Sequence, residues 1–176
     1  LKSISKAWNF SDAMRIGILS DTHAHVIRSI RAIEALLSRD VKAVLHCGDI
    51  GSDEVLEEIA ARCAAHGVSF HAVLGNVDEY AARSWRGMNR RPIKRHEELT
   101  LDGKRIALIH GHHVAVVERA IASGRYDYIC TGHTHQRRDE RIGRTRIINP
   151  GAVYRANPPT VALLDLASDR LEFIEC

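Results

Sequence analysis

Residues 15–23 read Arg-Ile-Gly-Ile-Leu-Ser-Asp-Thr-His, an apolar run that stops on a carboxylate and an imidazole. The run from Arg15 to Ser20 suits a buried strand covered on both faces, where polar alternation is lost. Val26, Ile30, Ile33, Leu36 and Leu37 then recur at spacings of three and four, which predicts an amphipathic helix. Ala43-Val44-Leu45 reads as a second buried strand. Ser52 is placed to cap a helix carrying Val55, Leu56, Ile59, Ala60 and Cys63 on one face, with Gly67 soon after its end. Val68 to Leu74 reads as a third strand. Strand, helix, strand, helix, strand is the pattern of parallel right-handed crossovers.

The second half changes character. Glu98-Leu99-Thr100-Leu101 and Arg105 to Ile109 flank Asp102-Gly103, a strong hairpin turn. A helix is expected from about His113 to Ser123, closed by Gly124, followed by a strand from Tyr126 to Cys130. Gln136 to Arg141 and Arg144 to Ile148 flank another Gly turn, and Val161 to Leu166 and Leu171 to Ile174 flank Ser168-Asp169. The chain begins α/β and ends largely β with one helix. Two sheets packed together and covered by helices satisfy both halves. Trp85 to His96, with Arg86, Arg90, Arg91, Lys94 and Arg95, reads as a basic loop.

The 176 residues suffice for one domain with a sizeable core. At 45% apolar and 27% charged, the chain is neither a disordered tail nor a small disulfide scaffold. No window holds about 18 consecutive apolar residues, so no membrane span is expected. Lys+Arg 25 against Asp+Glu 22 leaves a formal charge of +3, too mild to announce a nucleic-acid partner. Cys47, Cys63, Cys130 and Cys176 form no C-x-x-C pair and read as reduced thiols of a cytoplasmic protein. Residues 1–13 lack the pattern of a secretory signal, and Met14 begins the first clear strand. The expected organisation is an N-terminal extension over 1–13 and a single domain over 14–176. Aromatics make up only 5%, so aliphatic side chains must build most of the core. The 11 histidines are a surplus that needs an explanation.

Metal-capable residues gather just after apolar strands. The runs end in Asp21-Thr22-His23, Gly48-Asp49, Gly75-Asn76-Val77-Asp78, His110-Gly111-His112-His113 and Gly132-His133-Thr134-His135. Ligands of open α/β sheets bind beyond the carboxyl ends of the strands, so these endings can share one rim. Asp21, Asp49, His23, His110, His133 and His135 offer hard oxygens and imidazole nitrogens, and Asn76 an amide oxygen. Without a thiolate set, they suit manganese, iron, zinc or magnesium rather than copper(I) or an iron–sulfur cluster. Seven donors are too many for one four-coordinate ion but suit two ions sharing a carboxylate. Two ions about 3.5–4 Å apart are a known device for displacement at phosphorus. Taken singly, an Asp-x-His or a Gly-Asp is usually a turn; Gly-His-Thr-His is sharper. The order and placement of all five together carry the reading.

These five motifs resemble the calcineurin-like metallophosphoesterases, and the length and late hairpins resemble the small YfcE-type phosphodiesterase branch. The resemblance covers roughly Met14 to the C-terminus. It implies an α/β fold, a four-layer αββα sandwich of two mixed β-sheets flanked by helices. It implies that Asp21, His23, Asp49 and His135 hold one metal. Asp49 would bridge, and Asn76, His110 and His133 would complete the second. Asn76 would also touch a phosphate oxygen. It implies two divalent ions, manganese first, with nickel, cobalt, magnesium, iron or zinc as substitutes, and hydroxide bridging them for in-line attack on a small phosphate ester. Many members carry histidine where this chain has Val77, and that histidine is thought to help the leaving group depart. Valine gives no proton, so His112, His25, His113 or water must substitute, with His112 the candidate proton donor and His25 and His113 read as structural. With Asp78 counted, three acidic side chains surround the site. The alternative function is a non-catalytic protein-binding scaffold on the same fold, as in a retromer subunit of this family with a degenerate metal site. A nucleic-acid role would rest on the basic loop alone, and a homodimer would be compatible with the sequence.

Overall fold

The structure is a computed structural model that describes residues 14–85 and 92–176. The expected extension over 1–13 and the central part of the basic loop, 86–91, lie outside the described residues.

The αββα expectation holds. The first sheet runs β1 (Arg15–Leu19), β2 (Ala43–His46) and β3 (Ser69–Ala72) in parallel. The second contains β4 (His96–Leu101), β5 (Lys104–Ile109), β6 (Tyr128–Cys130), β7 (Arg137–Ile142) and β8 (Thr145–Pro150), in the order β4-β5-β6-β8-β7. Its central strands β5, β6 and β8 are parallel, and both edge strands are antiparallel. The chain then returns to the first sheet as β9 (Thr160–Asp165) and β10 (Arg170–Glu175), giving the order β10-β9-β1-β2-β3. β1 pairs in antiparallel with β9, so the last hairpin closes the sheet that the first strand opened.

Three apolar layers follow from this order. Ile16, Ile18 and Leu45 of the first sheet meet Ile106, Leu108, Cys130 and Ile148 of the second. Helices α1 (Val26–Leu37) and α2 (Asp53–Ala65) cover the outer face of the first sheet through Ile33, Leu36, Val55 and Ile59. Helix α4 (Val114–Ala122) covers part of the second with Val116, Val117, Ala120 and Ile121. Fully burying an aliphatic side chain contributes about 1.5–3 kcal/mol, so these stripes hold the layers together. Gly17 lets α1 settle on β1, since a Cβ there would stand 2.8 Å from Leu36 Cδ1. Among the described residues no helix is long and apolar enough to cross a membrane.

Local expectations held where the signal was periodic or a turn motif. Ser52 caps α2 by accepting from the Val55 N–H. Asp102 and Gly103 both take positive φ, as a two-residue hairpin turn needs. The third strand is shorter than expected. It stops at Ala72, and Val73 makes only an isolated bridge with Lys94 as the chain leaves the sheet edge. The short helix α3 (Asp78–Ala81) and the 3₁₀ turn Ala82–Ser84 were not foreseen, because four-residue elements leave no periodicity to read.

Candidate metal centre

All five polar endings meet on one rim. Three backbone hydrogen bonds join the loop after β1 to the loop after β2: Asp21 N–H to Gly48 O, His23 N–H to Asp49 O and Ala24 N–H to Ile50 O. Residues after β8 close the other side, with Val153 and Tyr154 N–H donating to Ser20 and Asp21 carbonyls. The second sheet joins through His110 Nδ1, 2.8 Å from Cys47 O, and through the His133 N–H, 3.1 Å from Asp21 Oδ2.

Close backbone approach makes this possible. A Cβ on Gly75 would stand 2.0 Å from Asp49 Oδ1, and one on Gly132 would stand 1.9 Å from Ser20 Oγ. Asp21, His23, Asp49, His133 and His135 all adopt positive φ, between 45° and 68°. Non-glycine residues pay roughly 1–2 kcal/mol for that conformation, and such strain gathers at functional sites.

On one side, Asp21, His23 and His135 converge. His23 Nε2 lies 3.2 Å from His135 Nε2, which in turn lies 3.3 Å from Asp21 Oδ1. That oxygen is buried and accepts no hydrogen bond from the described residues. On the other side, Asp21, Asp49 and His110 converge. His110 Nε2 lies 3.3 Å from Asp49 Oδ1 and 3.2 Å from Asn76 Oδ1. The His133 ring centroid is 5.2 Å from that of His110. Asp49 faces both sides, Oδ1 toward His110 and Oδ2 3.8 Å from His23 Nε2.

These residues fit a pair of divalent ions. Two donors on one tetrahedral ion, at bond lengths near 2.1 Å, stand about 3.3–3.4 Å apart, and the separations above cluster there. The Cys47 carbonyl can only accept, so His110 Nδ1 carries a proton and Nε2 is the donor atom left for an ion. An orphaned buried carboxylate oxygen and two ring nitrogens facing each other are unfavourable unless a cation or a proton lies between them.

The electrostatics agree. Burial raises the Asp21 carboxyl above its ordinary value, against the Ser20 hydrogen bond and the nearby histidines. Burial alone would raise Asp49 too, but His110, the Val77 N–H and His23 outweigh it and leave Asp49 lowered. Burial works to lower His110, yet Asp49 and Asp21 hold it above the usual histidine range. His23 is lowered, chiefly by burial. Protons and a metal ion therefore compete for His110 Nε2.

Asp78 departs from the expectation of a third acidic side chain in the site. Its carboxylate turns away to accept the N–H groups of Ile50, Gly51 and Gly75, pinning the loops after β2 and β3 together. Val77 is 40% exposed beside the site. His112 Nε2 lies 3.4 Å from Glu79 Oε1. His25 is structural as read: its Nδ1 accepts the Arg28 N–H at the start of α1.

Supporting residues went unread in the sequence. His46 is fully buried, its Nδ1 accepting the Gly48 N–H and its Nε2 3.0 Å from Thr22 Oγ1. Asn149 donates to Gly132 O and Thr134 Oγ1 and accepts the Gly151 N–H, bracing the Gly-His-Thr-His loop. A polar residue inside an apolar strand, as at His46, was the one available signal.

Comparison with known proteins identifies the family. The calcineurin-like phosphoesterase superfamily domain matches residues 14–169. The phosphodiesterase MJ0936 of Methanocaldococcus jannaschii is 36% identical over 158 residues, spanning 86% of this chain and 93% of its own. The structure of an archaeal phosphodiesterase superposes with a TM-score of 0.78 at 32% identity, covering 93% of this chain and 100% of that one. The Escherichia coli phosphoesterase YfcE shares the fold, with a TM-score of 0.66 at 20% identity over 92% of this chain and 99% of its own. With its strand-end motifs, its two facing sheets and these relatives, the chain belongs to the calcineurin-like phosphoesterase superfamily.

Proposed function

We propose that the protein is a binuclear metal-dependent phosphodiesterase. Asp21, His23, Asp49 and His135 would hold one ion, and Asp49, Asn76, His110 and His133 the other, with manganese the favoured metal. The observation that carries the reading is Asp49, whose two oxygens face the two donor groups separately. When bound, the two ions would make water nucleophilic at neutral pH and offset the negative charge of the phosphate.

The side chains do the rest. Asn76 is exposed and turns its Oδ1 toward His110, leaving its amide N–H groups for a phosphoryl oxygen. The positive φ residues hold the carboxylates and rings in place before substrate arrives. Val77 gives no proton, so departure of a poor leaving group draws on His112, held beside Glu79, or on water. Cys47, Cys63 and Cys130 are buried free thiols, which supports a reducing, cytoplasmic setting. A complete donor set favours the enzyme over a protein-binding scaffold.

The test is hydrolysis of bis(p-nitrophenyl) phosphate by metal-stripped protein reloaded with manganese at about pH 8. Activity should depend on added manganese and fall at least a hundredfold in Asp49→Asn and His133→Ala. Full activity in metal-stripped Asp49→Asn protein would overturn the two-metal reading.

A further inference from the structure

The second His pair of the chain does not belong to the binuclear set. His112 and His113 stand beside it, and Glu79, the first residue after the buried Asp78, meets them there. Glu79 Oε1 lies 3.4 Å from His112 Nε2 and 3.8 Å from His113 Nε2. These spacings are long for N–H···O hydrogen bonds, which run about 2.7–3.2 Å. The shorter one equals the spacing of two donors on one tetrahedral ion, about 3.4 Å. The two rings are 4.0 Å apart between centroids and tilted by 42°, and the ligand atoms of all three residues lie within 4.8 Å of one another.

We propose that Glu79, His112 and His113 form a third, mononuclear divalent-cation site at the rim of the binuclear centre. Two imidazoles and one carboxylate, with the remaining positions open to water, suit zinc, iron(II), nickel or manganese. The His112 and His110 ring centroids are 5.3 Å apart, so the ion would border the proposed second metal.

Two features make this site the weaker one. Arg95 already pairs with Glu79, its Nε 3.0 Å from Oε1 and its Nη2 donating to Oε2, so a positive charge stands beside the carboxylate. An ion on His112 Nε2 leaves the ring proton on Nδ1, which is buried without a partner among the described residues. In contrast, His110 Nδ1 has Cys47 O. The third ion therefore binds last. Because a metal-held ring gives up no proton, His112 serves either this ion or proton donation at a given moment.

The proposal stands beside the two-metal reading, and one experiment separates them. The full chain is stripped of metal and titrated with zinc, with bound metal measured after equilibrium dialysis. Wild type should take up three equivalents, the last at least tenfold weaker. Glu79→Gln and His113→Ala should each take up two, with the tight pair unchanged. Asp49→Asn should lose tight binding but keep the weak, Glu79-dependent equivalent, which separates a failure of the binuclear reading from a failure of this one. A Glu79→Gln or His113→Ala protein that binds as many equivalents as wild type overturns the third site.

Discussion

Lowering the pH should weaken the fold through His46, and the structure sets the size of the effect. His46 is fully buried under the loops that carry Asp21 and Asp49, and burial pushes its ring down from 6.5 to about 3. Its Nδ1 accepts the Gly48 N–H, so protonation would set two N–H groups against each other. The sign follows from linkage. The unfolded chain takes up a proton near pH 6.5 while the folded chain does not until near pH 3, so His46 weakens the folded state as pH falls through that window. Each pH unit inside it costs about 1.4 kcal/mol, so a drop from about pH 7.5 to about pH 5 should cost about 2 kcal/mol. For a domain of this size that lowers Tm by about 4–8 °C. The assay is thermal unfolding of metal-free protein at both pH values, for wild type and His46→Asn. The asparagine keeps an acceptor for Gly48 but cannot titrate. It should melt lower at pH 7.5, yet lose several degrees less than wild type on going to pH 5. Equal losses in both proteins would refute the reasoning.

Two further outcomes are expected. Gly75→Ala sets a Cβ 2.0 Å from Asp49 Oδ1 and 2.3 Å from the Asp49 backbone nitrogen, so the carboxylate must move. Calorimetric manganese affinity should fall at least tenfold while far-ultraviolet circular dichroism stays unchanged; unaltered affinity would contradict the account of the Gly75 contact. Asp78→Ala strands the N–H groups of Ile50, Gly51 and Gly75 and should cost about 3–5 kcal/mol in urea unfolding, whereas a loss below about 1 kcal/mol would show that the pin does not matter.

The parts of the site legible in the sequence were those with a local cause. Asp21 and His23, Asp49, and His133 and His135 each follow an apolar run that can only be a strand, so their position at a strand end was readable. What each side chain does at that end was less so. Asp78 and Asp49 look alike in sequence, yet Asp78 serves three backbone N–H groups and Asp49 faces two donor groups. Glu79 sits in a four-residue helix with no readable pattern, and its meeting with His112 and His113 spans more than thirty positions. His46 extends the strand one residue past Ala43-Val44-Leu45, and a buried histidine shows its value only once its two partners are known.

By itself, the sequence determined the strand and helix alternation, the two-sheet plan and the five polar endings. Each depends on the period of apolar residues or on a short turn motif, and both act within a few residues. Tertiary structure alone decided which endings touch. The contact of His110 with Cys47 O, of His133 with Asp21 and of His23 with His135 joins residues 63 to 112 positions apart. It also decided the positive φ of Asp21, His23, Asp49, His133 and His135, since only the packing of one loop on another makes that strain worth bearing.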